Sequence, residues 1–298
     1  MKFSFIIIFV YGLSVFSFSQ KTDNKLQIKL KEVIKGFNGD LGIYVKDLKT
    51  GKTVSINADT LFPTASIVKV PILIGIMDKI RNSELHYDST LVYKDSLLYE
   101  GEDILGSFKS GEKILLKKVM MLMLTTSDNT ASLWLQSLAG KGTRINEILD
   151  SLGLKYTRVN SRTPGRENNR TQFGWGQTTP GEMATIFEMI YNNKIFSKES
   201  CDRMMRCLGR NYWDKDEAIS QIPPYIKVYS KNGCVDASRS EILLVNAPHH
   251  PYIFSIFTKN NKDQQWTHEN EAWTLARKIS LLLWNYFEPK DKWEPTTK

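Results

Sequence analysis

Only three cysteines, Cys201, Cys207 and Cys234, occur in 298 residues, and their spacing fits no metal-ligating pattern. The odd count leaves at least one thiol unpaired. A bridge between Cys201 and Cys207 would need an oxidising compartment, and the segment they share reads as helical, where a six-residue separation puts the two side chains on different sides. Also missing is any run of five or more basic residues. The formal net charge is +8, but the cations are scattered singly or in pairs such as Lys117 and Lys118. That pattern describes a solvated, mildly basic surface, and no nucleic-acid partner is expected. No internal repeat and no low-complexity linker interrupts the chain, which excludes a repeat array and a string of tethered domains. A second long apolar run is absent too, so stable membrane insertion is not expected.

The one long apolar run stands at the start. Residues 1–19, MKFSFIIIFVYGLSVFSFS, carry a single early cation, Lys2, then a hydrophobic stretch too short for a comfortable span, then small residues at Ser17 and Ser19. This is the pattern of a secretory signal peptide cleaved before Gln20, and it implies a secreted, periplasmic protein. No cysteine lies near the cleavage point, which argues against a lipid-modified N-terminus. Residues 20–298 keep 39 cations against 32 anions and are enough for one large domain, read as a monomer.

The order of helical and strand-like segments is informative. An amphipathic helix, KLQIKLKEVIKGF, precedes two strand-like runs, GDLGIYVKDLKTG and KTVSINAD, which turn at Thr50 and Gly51. Residues 64–206 read almost wholly as helix. Strands return with YIKVYSKNGCV, SRSEILLVNAP and YIFSIFTK, and the last helix is ENEAWTLARKISLLLWNYF. Strands at both ends with helices between predict an α/β (α+β) fold. One lobe, from residues 21–63 and 207–290, holds an antiparallel five-stranded sheet flanked by the terminal helices, and an all-helical lobe, 64–206, is inserted into it. A cleft between two lobes is the expected place for a small-molecule site.

Three short elements carry chemistry. In PTASIVKVPI, Ser66 and Lys69 are three residues apart at the start of a helix, close enough to touch. A serine hydroxyl needs a base, and a lysine serves if burial and a nearby cation lower its pKa. Ser110 and Lys113 have the same spacing but sit in a polar, Gly-punctuated loop, whereas Ser66 and Lys69 lead into the apolar run VPILIGIM. The second element, Ser127-Asp128-Asn129, interrupts an apolar helical run. It is an ordinary helix connection, or it supplies a hydroxyl to relay a proton, an amide to hold a carbonyl, and a carboxylate to bond the turn. The third, Lys231-Asn232-Gly233, lies on a strand whose alternation sends Lys231 and Gly233 to one side. It is a common hairpin signal, or a cation beside a strand edge that a ligand can approach.

Together these elements resemble the S-x-x-K, S-D-N and K-T-G set of the class A β-lactamases and penicillin-binding proteins, in the same order. Ser66 and Ser127 are 61 residues apart, and Ser127 and Lys231 are 104 apart. TTPGEMA at 178–184 is similar to that family's helix after its omega loop, and the resemblance covers essentially all of residues 20–298. It implies a β-lactamase-like fold and no metal or organic cofactor. Ser66 is implied as nucleophile, Lys69 as base and Ser127 as proton donor to the leaving nitrogen. Asn129, Lys231, Asn232, Gly233, Cys234 and Arg239 are implied around the substrate, with Arg239 and Lys231 on its carboxylate and the backbone N–H groups of Ser66 and Cys234 on the oxyanion.

Two departures stand out. Asn232 replaces the hydroxyl residue of the third element. The region NSRTPGRENNRTQFGWGQTTP also contains no E-x-x-L-N, so an ungapped reading puts the deacylating carboxylate near Thr163, and the nearest acid is Glu167. The expected substrate is a β-lactam, opened through an acyl-enzyme and hydrolysed with help from Glu167. The alternative is a D-alanyl-D-alanine peptidase-like, penicillin-binding activity on cell-wall peptides, and the third reading is a non-catalytic binding protein on the same fold.

Overall fold

The computed structural model describes residues 21–99 and 103–295; the expected signal peptide, 1–19, lies outside the described residues. Helix α1 (Asn24–Val33) starts at Asp23, whose carboxylate accepts the amide N–H of Leu26 at 3.0 Å and so satisfies one of the free donors of the first turn. Strands β1 (Asp40–Asp47) and β2 (Thr53–Ile56) follow, and Gly51 supplies the left-handed φ of 73° that their turn requires. The short strand β3 (Phe62–Pro63) leads into a 3-10 turn, Ala65–Val68, and directly into helix α2 (Lys69–Arg81).

Strands β4 (Thr90–Val92) and β5 (Lys113–Leu115) precede helices α3 (Leu116–Thr125), α4 (Asn129–Leu138) and α5 (Lys141–Ser151). Then come β6 (Arg158–Val159), α6 (Glu167–Phe173), β7 (Gly176–Thr178), α7 (Pro180–Tyr191) and α8 (Lys198–Leu208). Strands β8 (Val228–Val235), β9 (Ser238–Val245) and β10 (Tyr252–Lys259) and helix α9 (Glu271–Phe287) complete the chain.

Five strands form one antiparallel sheet in the order β2-β1-β10-β9-β8, so the chain's two ends do combine as the sequence predicts. Alternation along β9 feeds two cores. Ile242 and Leu244 pack with α2, α3, α4 and α7, while Leu243 and Val245 pack with α1 and α9 on the other face. The middle of the chain is less uniformly helical than its sequence suggests. Strands β3, β7 and β6 form a small sheet and β4 pairs with β5. Two- and three-residue strands are too short to show a period of two, which is why they read as helix or loop. Among the described residues no helix is long and apolar enough to cross a membrane.

The site is positioned by the edge strand β8, which lies against the 3-10 turn before α2. A Cβ at Gly233 would fall 2.4 Å from the carbonyl oxygen of Thr64 and 3.0 Å from the backbone nitrogen of Ser66. Only glycine lets the strand approach this closely.

Candidate active site

The apolar run after Lys69 explains its burial: α2 is enclosed from Lys69 to Asp78, so the lysine is carried into the core with 0% of its surface exposed. Its Nζ lies 3.0 Å from Ser66 Oγ, 2.9 Å from Ser127 Oγ, 2.5 Å from the Ser127 carbonyl oxygen and 2.8 Å from Asn129 Oδ1. Two of these four, the carbonyl and the amide oxygen, can only accept. A neutral amine has two N–H groups to give them and a lone pair left for a serine hydroxyl. Burial first, and then the charge of Lys231, push Lys69 well below the ordinary lysine range, against the pull of Asp103 and Asp128.

Two backbone distortions aim the hydroxyls. Ala65, just before Ser66, has a φ of 42°, and Ser127 a φ of 62°, both in the left-handed region that costs a non-glycine residue energy. Asp128 holds the second one. Its Oδ1 accepts from Ala131 N at 2.7 Å, starting α4, and its Oδ2 accepts from Leu105 N at 2.9 Å.

Lys231 enters from β8, also fully buried, and donates to Ser127 Oγ at 3.1 Å, to the Asn232 carbonyl at 2.9 Å and to Asn232 Oδ1 at 3.1 Å. Burial lowers it to about 8, although Cys234, Glu217 and Glu241 act in the opposite direction. Asn232 passes the contact on, donating from Nδ2 to Glu217 Oε1 at 2.7 Å. Ser66 sits between two cavities. One, of about 740 Å³, is bordered by Ser127, Asn232 and the 212–217 segment; the other, of about 500 Å³, by Tyr99, Trp175 and the end of β8. Asn129, Cys234 and Ser66 border both. Ser110 is far from this arrangement in role, accepting from Asp95 N on an exposed turn.

Ser66, Lys69, Ser127, Asn129, Lys231, Asn232, Gly233 and Cys234 are thus brought together, and two expected residues are not. Glu167 is an exposed residue at the start of α6, where its Oε1 accepts the N–H of Gly165 at 3.1 Å and it borders neither cavity. The ungapped position, Thr163, is buried and bonds the carbonyls of Val159 and Ser161. The interior of this loop is filled instead by Arg166, which donates to Asn160 Oδ1 and Gln177 Oε1, with Asn169 donating to Gln177 as well. Glu167 is the one carboxylate between Asn160 and Thr178, so this loop presents none to Ser66.

Arg239 also turns away from the expected carboxylate site. Its guanidinium donates to the carbonyls of Val235, Asp236, Ser238, Gln264 and Gln265 and lies between Trp266 and Trp273, 4.1 and 4.8 Å from their ring centroids. Glu217 is the residue that sequence reasoning misses. In NYWDKDEA it looks like one more solvated acid, yet it is 7% exposed and tied to Asn232, and burial raises its carboxyl to about 7. Nothing local in the sequence announces that. Among the described residues no group of three or more His, Cys, Asp or Glu side chains is placed to hold a metal ion.

A serine on a 3-10 turn, a buried lysine between two serines and a lysine on the facing strand define a class A β-lactamase-like serine hydrolase. The profile of the beta-lactamase enzyme family matches residues 25–287, and the chain belongs to that family. The beta-lactamase VEB-1 of Pseudomonas aeruginosa is 23% identical over 295 residues, which span 95% of this chain and 96% of that one. The solved structure of PBP-A superimposes with a TM-score of 0.79 at 22% identity, covering 91% of this chain and 98% of its own. A class A beta-lactamase from Mycobacterium abscessus does so with a TM-score of 0.77 at 20% identity, covering 88% and 99%.

Proposed function

We propose that the protein opens the amide of a β-lactam ring through an acyl-enzyme on Ser66. The observation that carries this reading is the buried Lys69 amine within 3.0 Å of Ser66 Oγ and 2.9 Å of Ser127 Oγ. Ser66 Oγ attacks the lactam carbonyl carbon while its proton passes to neutral Lys69. The backbone N–H groups of Ser66 and Cys234 receive the oxyanion. The C–N bond breaks as Ser127 gives its proton to the leaving nitrogen, and Lys69 restores that proton to Ser127. Asn129 and the 500 Å³ cavity receive the acyl portion. The chain works outside the cytoplasm, secreted or periplasmic after loss of residues 1–19; its support is the N-terminal sequence pattern alone.

Hydrolysis of the ester then falls to Lys69, because Glu167 faces solvent. A second reading follows from the same loop: with no carboxylate presented to Ser66 from residues 160–178, a slow ester is the behaviour of a penicillin-binding D-alanyl-D-alanine peptidase-like enzyme whose own substrates are cell-wall peptides. Stopped-flow and steady-state kinetics with a chromogenic cephalosporin separate the two. Continuous turnover supports β-lactam hydrolysis, a single stoichiometric burst supports the peptidase, and no reaction rejects both. In either case Glu167→Gln is expected to keep the parent's acylation and deacylation rates. Accumulation of acyl-enzyme in that variant would return Glu167 to the mechanism.

A further inference from the structure

On the side of Ser66 where the leaving group must go, the charges are arranged against an anion. Lys231 is the cation there, but its Nζ contacts Asn232 Oδ1 at 3.1 Å, and Asn232 Nδ2 is already given to Glu217 Oε1 at 2.7 Å. The amide therefore links the lysine to an internal carboxylate, with one of its two Nδ2 hydrogens and its Oδ1 already engaged. Arg239, the other expected partner of a substrate carboxylate, spends its guanidinium on five backbone carbonyls. The wall of this cavity continues with Asp103, Asp214 and Asp216 and the indoles of Trp213 and Trp266, and among the described residues its other cation is the exposed Lys215.

The geometry points to Glu217 as a specificity-determining residue: it makes the leaving-group side of the cleft discriminate against a carboxylate and accept an uncharged or cationic leaving group. This rests on the acyl-enzyme reading above. A carboxylate placed beside Asn232 would stand one amide away from Glu217 and meet its negative charge, a repulsion that the low-dielectric wall strengthens. An ester has no charge to repel, and an ammonium group gains both Glu217 and the indole faces. The groups around Glu217 are Asn232, Lys231 and Cys234 from β8, Glu241 and Arg239 from β9, Asp216 beside it in sequence and Arg277 from α9. Glu241 is the buried acid behind it, across from Asn232 in the β8–β9 register.

The test compares one penicillin as its free acid and as its methyl ester, following Ser66 acylation by mass spectrometry on the whole protein. The pH is held at about 7.5, where Glu217 is more than half ionised and Lys231 still carries most of its charge. The parent is expected to acylate with the ester at least as fast as with the acid, and Glu217→Gln to raise the acid-to-ester rate ratio about tenfold. A parent that clearly prefers the acid overturns the proposal without recourse to any variant. A ratio that Glu217→Gln leaves unmoved overturns it as well. If neither compound gives a Ser66 adduct, the acyl-enzyme reading itself fails, and this proposal with it.

Discussion

At the scale of single residues, two lysines do opposite jobs because their partners differ. Lys69 is buried with a second cation nearby and obligate acceptors that match a neutral amine, the state the proposed base needs. Lys231 has Glu217, Glu241 and the Asn232 oxygens around it, and near neutral pH it remains the charged donor to Ser127. Its lowered value of about 8 sets a sign: the proton is held below that pH and lost above it. Acylation is therefore expected to fall about tenfold per pH unit above pH ~8, as Ser127 loses its charged partner. In Lys231→Arg, which does not titrate there, that alkaline limb should vanish even though the rate at pH 7 drops. A limb of unchanged position in the arginine variant would assign the titration to another group.

The residues legible from the sequence are those whose role follows from type, order and neighbours. Ser66 and Lys69 were distinguishable from Ser110 and Lys113 because a buried run follows one pair and a Gly-punctuated loop surrounds the other. Glu167 and Arg239 show the limit. A long polar side chain can be assigned to a segment, but which atoms it bonds is decided locally: by the free N–H of Gly165 for one, and by a nest of carbonyls between two indoles for the other. Glu217 was illegible for the converse reason, since its partner Asn232 comes from a strand 15 residues on.

At the scale of elements, the site depends on one approach, that of β8 to the 3-10 turn bearing Ser66. The strand and the helix were both readable from periodicity, whereas their contact distance was not. What the sequence did offer was Gly233, whose missing Cβ is the condition for that contact. Gly233→Ala would push the strand off the turn and displace the N–H of Cys234 from Ser66. A shift of about 1 Å at reacting groups is enough to lower acylation by roughly 10²-fold. Stopped-flow acylation of Gly233→Ala, with circular dichroism to verify the fold, measures this. A folded variant that acylates at the parent rate would mean the strand edge does not form the oxyanion site.

At the scale of the whole molecule, Ser66 and Lys69 come from the start of the helical region, Ser127 from its middle and Lys231 from the terminal sheet. No part of the chain holds the site alone. The five-stranded sheet was legible because strands of eight residues, such as β1, β8, β9 and β10, are long enough to show their pattern. The small sheet of β3, β7 and β6 was not, although it carries the loop whose one carboxylate, Glu167, is turned to solvent. The central claim is that this assembly makes Ser66, and no other side chain, the acyl acceptor. Peptide mass spectrometry after brief exposure of the intact protein to a penicillin tests it most directly. The account predicts one adduct per chain, on the peptide containing Ser66, and none in Ser66→Ala. An adduct on Ser110, Cys234 or Lys215, or one that persists in Ser66→Ala, would contradict it.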